Sequence, residues 1–301
     1  MTTIVLYLFL SLPLVGAYLL LGLGITVIYQ ASRVLNLAHG VMAMGAAYAC
    51  YQLTKWHVPL ALSLIAGLAV GTLLGLLLER VFVRRLRPSG PMTQTVGTVA
   101  ALSFAIAVAS RVWGTLPVNA PAVLPSGALH VGKGFVPWSQ LGIFPIALVG
   151  AGFLFALFQF TDMGLAMRGA AENRRGAALR GVDPDRTAAL AWALGGLLAG
   201  LAGILLAGAN GLDPFSSSLG VLPAFVAALL GGLETTTGVA IGAVVVGVVQ
   251  GMVPAFGVFP SLSRIVQGQG APQLVLGVVA LIVMASRGAR LVTGDVRGDT
   301  L

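Results

Sequence analysis

Residues 141–160 read LGIFPIALVGAGFLFALFQF, residues 161–187 read TDMGLAMRGAAENRRGAALRGVDPDRT, and residues 188–208 read AALAWALGGLLAGLAGILLAG. The outer two stretches are apolar runs of the length, about 20 residues, that carries a helix across a hydrocarbon core. The middle stretch holds nine of the chain's 26 charged residues within 27 positions: Asp162, Arg168, Glu172, Arg174, Arg175, Arg180, Asp183, Asp185 and Arg186. An ionic segment held between two spans is a water-facing connection. At 27 residues it is far longer than a plain return loop requires.

The composition on either side of this segment sets the class. Hydrophobic residues make up 57% of the chain and charged residues 9%, against about 25% charged residues in an ordinary soluble domain. The apolar runs exceed the ~10 alternating residues of a membrane β-strand, so the expected fold is an all-α polytopic membrane protein in a single domain, residues 1–301. Candidate spans lie near residues 6–30, 35–53, 59–78, 94–112, 141–160, 188–208, 219–233, 237–255 and 271–286, a bundle of eight to nine helices. The first ten residues contain no Lys or Arg and lead directly into a long span, so a cleaved signal peptide is not expected.

If all nine runs cross, one side of the membrane collects Arg33, Arg80, Arg84, Arg85, Arg87, the five arginines of 161–187, Arg287, Arg290 and Arg297, 13 of the 17 basic residues. The other side holds Lys55, Arg111, Lys133 and Arg264. Cytoplasmic loops carry the excess of Lys and Arg. The expected topology therefore has the N-terminus outside and the C-terminus in the cytoplasm, with 161–187 cytoplasmic and 113–140 external. The run 219–233 is short and contains Pro223; a broken but complete crossing agrees with the charge rule better than a re-entrant element. The net charge of +8 sits in the interhelical connections with no aromatic-interleaved basic patch, so nucleic acid is not an expected partner.

Within 161–187, Ala170, Ala171, Ala177, Ala178 and Leu179 favour short helices, Gly181 is a natural stop, and Asp183-Pro184 reads as the cap and first turn of the next helix. One or two small helices projecting from the membrane suit a docking partner better than a merely solvated face. Two further places interrupt the apolar pattern. In Arg33-Val-Leu-Asn-Leu-Ala-His-Gly40, the residues Asn36, His39 and Gly40 fit either a capped turn between spans or a pore-side helix break whose polar groups replace lost backbone bonds. The second interruption runs from Asn210 through Asp213-Pro214 to Pro223 and on to Gly231, Gly232 and Glu234; broken helices of this kind bind the charged ends of a zwitterion in transporters. Glu234 reads as an interfacial acid rather than an ammonium ligand.

Catalytic signals are weak. Gly127, Gly132 and Lys133 reproduce part of a phosphate loop, but Gly134 stands where Ser or Thr is required and no strand leads into it. His39, His57, His130 and Cys50 lack metal-ligand spacing, and lone Cys50 reads as a small buried residue. No enzyme activity, metal or cofactor is expected. Small residues at four-residue spacing, such as Gly67, Gly71, Gly75 and Gly196, Gly200, predict close helix packing.

Three stretches together resemble the permease subunit of bacterial ABC importers for branched-chain amino acids, over nearly the whole chain. They are Gly24-Ile25-Thr26 through Asn36-Leu37-Ala38-His39-Gly40; Arg168-Gly-Ala-Ala-Glu-Asn through Leu179-Arg-Gly-Val-Asp-Pro with Leu198 to Gly203; and Ala224-Phe225 through Gly231-Gly232-Leu233-Glu234 with Gly238. The resemblance implies import of a hydrophobic amino acid across the bacterial cytoplasmic (inner) membrane by alternating access. It implies as partners two ATP-binding cassette subunits that bind the ATP, a second related permease or second copy, and a periplasmic or lipid-tethered solute-binding protein, all within membrane lipid. It also implies that 161–187 couples to the ATPase through Arg168, Glu172, Arg180, Gly181 and Asp183. Leu37 stands where many relatives carry an aromatic residue. The same architecture serves urea, short amides or other small polar solutes; a stand-alone channel or secondary transporter calls for ionisable relay residues inside the spans, which are almost absent here.

Overall fold

A computed structural model describes residues 2–125, 127–132, 134–233, 235–258 and 270–295. Lys133, Glu234, Arg264 and Arg297, which enter the sequence arguments above, lie outside the described residues. The first half comprises α1 (Thr2–Ser32), α2 (His39–Lys55), α3 (Leu60–Leu78), α4 (Arg84–Leu86) and α5 (Pro91–Trp113). A hairpin of β1 (Ala128–Val131) and β2 (Gly134–Pro137) follows, then the single turn α6 (Trp138–Leu141) and α7 (Ile143–Phe160). The second half comprises α8 (Asp162–Glu172), α9 (Arg174–Leu179), α10 (Pro184–Asn210), α11 (Pro214–Leu219), α12 (Leu222–Gly231), α13 (Thr236–Met252) and α14 (Ala271–Asp295).

Among the described residues, seven helical segments are long and apolar enough to cross a membrane. The protein is thus a polytopic all-α membrane protein. The expected run at 35–53 starts as a helix only at His39 and measures 17 residues, and the last span contributes a shorter apolar segment, Ala271–Ile282. The run predicted at 219–233 begins earlier: α11 and α12 together form an 18-residue segment, Pro214–Gly231, interrupted at Gly220 and Val221. Pro223 occupies the first turn of α12, where its missing N–H costs nothing, and is not itself the interruption.

The long helix α1 forms the axis of the bundle, packed by α13, α10, α7 and α12, while α2, α3 and α10 form a second tight group. Half of the apolar window of α1 is buried, against 17% of that of α5, which leaves α5 at the periphery. With lipid on the outside, dispersion contacts between closely approaching backbones replace the hydrophobic drive. The glycine ridges supply that approach: a Cβ on Gly71 would stand 2.8 Å from the Gly196 carbonyl oxygen and 3.2 Å from the Gly200 Cα. Inside the same core the Tyr18 hydroxyl donates to Gln250 Oε1 at 2.5 Å, joining α1 to α13. Cys50 is buried.

The connection 113–140, which Pro117, Pro121, Pro125 and Pro137 mark in the sequence as a folded or partly irregular loop, is folded where it is described. It carries the β1–β2 hairpin, and Val118 exchanges two backbone hydrogen bonds with Leu212, each 2.9 Å, which pins the loop to the start of the second helix interruption.

Candidate functional site

The ionic segment forms two short helices with a capping side chain at each start. Thr161 Oγ1 accepts from the Gly164 N–H at 3.2 Å to open α8, and Asn173 Oδ1 accepts from the Gly176 N–H at 2.8 Å to open α9. Asp183 Oδ1 accepts from the N–H groups of Asp185 (2.9 Å) and Arg186 (3.3 Å), with Pro184 in the first turn of α10. Each such cap contributes about 1 kcal/mol. Gly181, at φ +82°, reverses the chain between α9 and α10 in a region that other residues enter at a cost. Gly181 and Asp183 thus occupy the stop and cap that their sequence context predicts.

Helix α8 is seated on the bundle along one face. Gly164, Met167 and Ala170, three residues apart, are buried, and a Cβ on Gly164 would stand 2.5 Å from the Leu157 carbonyl oxygen at the end of α7. Asp162, Leu165, Arg168, Gly169 and Glu172 lie on the exposed side. Between α8 and α9 runs an open groove of about 470 Å³, lined by Leu165, Gly169, Asn173, Gly176 and Arg180 among others. Leu179, at the end of α9, is 89% exposed.

The nine charges of this segment divide into two groups. Asp185 turns inward and is ion-paired with Arg84, Arg87 and Arg174, and Arg186 pairs with Asp183 at 3.2 Å. Among the described residues Asp162, Arg168, Glu172, Arg175 and Arg180 enter no ion pair, and all five are exposed. Of the predicted docking set, Arg168, Glu172, Arg180 and Gly181 therefore present themselves to solvent, and Asp183 acts on its own helix. Leu165 and Leu179 complete the exposed surface. Sequence reading passed over them because a leucine in an Ala-rich helix carries no mark of which way it points.

The α1–α2 interruption has a different character. Helix α1 ends where Arg33 adopts φ +56°, its N–H still bonded to the Tyr29 carbonyl at 2.7 Å. The chain then turns inward, so that Asn36 and His39 are 1% and 0% exposed. Neither side chain caps α2: Ala38 is the N-cap residue, and it is the backbone carbonyl of Asn36 that accepts from the His39 N–H at 3.2 Å. Among the described residues the Asn36 carboxamide, the Thr26 hydroxyl and the Trp192 indole N–H are buried without a hydrogen-bond partner, and the His39 imidazole faces the Leu21 backbone of α1. A Cβ on Gly24 would stand 2.8 Å from His39 Nε2, so α1 needs glycine there to admit the imidazole. Gly40 lets α2 lie directly on the Ser218 backbone of α11, linking the two interruptions. Leu37 donates its N–H to Thr98 Oγ1 at 3.1 Å.

At the second interruption Asn210 is exposed at the end of α10, Gly211 turns at φ +87°, and Asp213 caps α11 through the N–H groups of Phe215 (3.1 Å) and Ser216 (2.8 Å). Gly231 ends α12, and Gly232, left-handed at φ +84°, donates to the Leu229 carbonyl while Leu233 donates to that of Ala228, both 3.0 Å. This is a helix stop of the kind that ends many helices. It turns α12 back onto α13.

The described residues thus combine a many-spanned bundle, two interrupted helices and a capped pair of short helices that display charge without ion-pair partners. The sequence pattern of the family described as "Branched-chain amino acid transport system / permease component" matches residues 7–269. The chain belongs to that permease family. Among curated relatives, the high-affinity branched-chain amino acid transport system permease protein LivH of Salmonella typhimurium is 26% identical over 257 residues, covering 80% of this chain and 83% of the relative. The probable branched-chain amino acid transport permease protein LivH of Methanocaldococcus jannaschii is 27% identical over 272 residues, covering 88% and 84%. The permease protein BraD of Pseudomonas aeruginosa is 26% identical over 249 residues, covering 78% and 81%. No solved structure matches this permease.

Proposed function

We propose that this permease is the membrane-spanning subunit of an ABC importer that brings branched-chain, hydrophobic amino acids into the cytoplasm, and that it performs no catalysis and binds no cofactor itself. Two separate ATP-binding cassette subunits bind and hydrolyse the ATP, a second permease or second copy completes the pore, and a solute-binding protein delivers the cargo. The N-terminus lies outside and the C-terminus in the cytoplasm, in keeping with the distribution of basic residues.

The observation that carries this reading is the surface of α8 and α9. An 89%-exposed leucine and five unpaired charges sit on two capped helices whose opposite face is wedged into the bundle. An apolar centre within a charged rim is the anatomy of a partner-covered surface, and Leu165 and Leu179 among the five charges supply it. Closure of the ATPase pair pushes α8, and the buried row Gly164, Met167 and Ala170 passes the movement to α7, α1 and α10, which rock the pore between outward and inward access. The interruptions at Asn36–Gly40 and Asn210–Pro223 are where unwound backbone and polar side chains meet the amino acid's charged ends during passage.

The test combines Glu172→Arg with Gly181→Pro in the complete transporter. Uptake driven by ATP is expected to disappear while the permease still inserts in the membrane. Normal ATPase association and normal uptake in that double variant would refute the docking assignment.

A further inference from the structure

Glu79 lies beneath the docking surface and takes no part in it. It is an acid at the end of an apolar span, its side chain is 0% exposed, and it is held by two arginines. Its Oε2 accepts from Arg84 Nη2 at 3.1 Å, and its Oε1 accepts from Arg84 Nε at 3.3 Å and from Arg87 Nη2 at 2.9 Å. Both arginines reach on to α10. Arg87 Nη1 lies 2.5 Å from Asp185 Oδ1, Arg84 Nη2 donates to the Asp185 carbonyl oxygen at 3.3 Å, and Asp185 also pairs with Arg174 in the first turn of α9. One chain of charges thus runs from the end of α3, through α4, to the start of α10 and onto the second short helix.

The backbone is shaped for this contact. Residues Glu79–Val83 form a π-helical turn, widened to i→i+5 hydrogen bonding, between α3 and α4. In an ordinary helix residues five apart point in different directions; in the widened turn they come onto one side, which lets Arg84 grip Glu79 with both ends of its guanidinium. A buried ion pair is a poor source of net stability, because desolvation consumes most of the Coulomb gain, but it fixes one arrangement of the elements that carry it. Helix α3 in turn packs along α10 through Gly71 and Gly75.

We propose that Glu79 is a positioning residue for transport: through Arg84, Arg87 and Asp185 it locks α3 to the coupling segment, so that α3 moves as one body with α9 and α10 when that segment is pushed. This rests on the docking role of α8 and α9. Glu79 touches neither cargo nor ATPase; it acts by holding the guanidinium groups that hold Asp185.

The experiment uses the reconstituted transporter with its ATPase subunits and binding protein in proteoliposomes, and reads uptake and ATP hydrolysis together. Glu79→Gln is expected to leave ATPase co-purification and ATP hydrolysis within about twofold of the parent while uptake per ATP falls at least tenfold. Glu79→Asp is expected to restore most of it. Asp185→Asn, altered at the half-exposed end of the chain of charges, is expected to uncouple in the same way without disturbing the buried carboxylate. Spin labels at exposed Arg85 and at exposed Leu190 on α10, in a Cys50→Ala background, report the link directly: their separation stays narrow through the ATP cycle in the parent and broadens in Glu79→Gln. An unchanged ratio of uptake to ATP, a label separation that stays narrow in Glu79→Gln, loss of ATPase co-purification in that variant, or failure of both Glu79→Gln and Asp185→Asn to insert would each overturn the assignment. The docking reading is tested apart from it: if only the Glu79 link is wrong, ATPase association still responds to Glu172→Arg with Gly181→Pro but uptake per ATP ignores Glu79→Gln.

Discussion

Replacing Leu179 by alanine isolates the apolar part of the docking surface from its charges. The leucine side chain is 89% exposed in the permease alone, so its loss removes almost no internal packing and the stability of the bundle is expected to stay the same. If a partner covers it, alanine gives up three carbons of burial. At about 0.8 kcal/mol per buried methylene, and allowing for incomplete coverage, the loss is about 2 kcal/mol of association free energy. That corresponds to roughly 30-fold weaker binding of the ATPase subunits, since about 1.4 kcal/mol is tenfold. The assay titrates purified ATPase subunits onto the permease in lipid nanodiscs and compares the two affinities, with thermal unfolding of each permease measured alongside. Equal affinities within twofold would show that Leu179 faces water or lipid in the complex and would remove the apolar anchor from the docking argument. A large drop in unfolding temperature would refute the premise that Leu179 contributes nothing to the isolated bundle.

Two further outcomes follow from the interior. Asn36→Leu replaces a buried carboxamide that has no partner among the described residues with an apolar side chain of similar volume, so thermal stability in detergent is expected to hold or rise while uptake falls; a stable variant with undiminished uptake removes the α1–α2 interruption from the transport path. Gly71→Val places two methyl groups beyond a Cβ that already stands 2.8 Å from the Gly196 carbonyl, and overpacking of this kind costs about 1–3 kcal/mol or more. A lowered unfolding temperature and reduced yield are expected, and normal values for both would mean that α3 and α10 do not pack through this ridge.

Much of the candidate site is readable from residue order. Asp183-Pro184 opens a helix because a short carboxylate satisfies free N–H groups and proline needs no donor there, and Gly181 turns the chain because it has no Cβ; neither effect depends on distant residues. The β1–β2 hairpin was missed because Pro117, Pro121 and Pro125 dominate the loop's composition, while the paired strands lie after them. The helical start at His39 instead of residue 35 was missed for a related reason: apolar Val34, Leu35 and Leu37 extend the hydropathy of α2 into a turn in which Val34 and Asn36 are buried and the Leu37 N–H bonds Thr98 of α5.

The sequence alone determined the membrane class, the number and order of the spans to within one or two, and the one or two short helices at 161–187 that end before the Asp183 cap, because length, hydropathy and capping are properties of neighbouring residues. Only the tertiary structure decided which charges of that segment remain available. Asp185 and Arg186 are adjacent and equally ionic on paper, yet Asp185 is bound inward by Arg84 and Arg87, 101 and 98 positions away, while Arg186 only braces its own cap. The same holds for Glu79, which the π-helical turn and the packing of α3 on α10 bury between two arginines. Ion pairing between remote residues depends on which backbones approach each other, and here the glycine ridges set that approach.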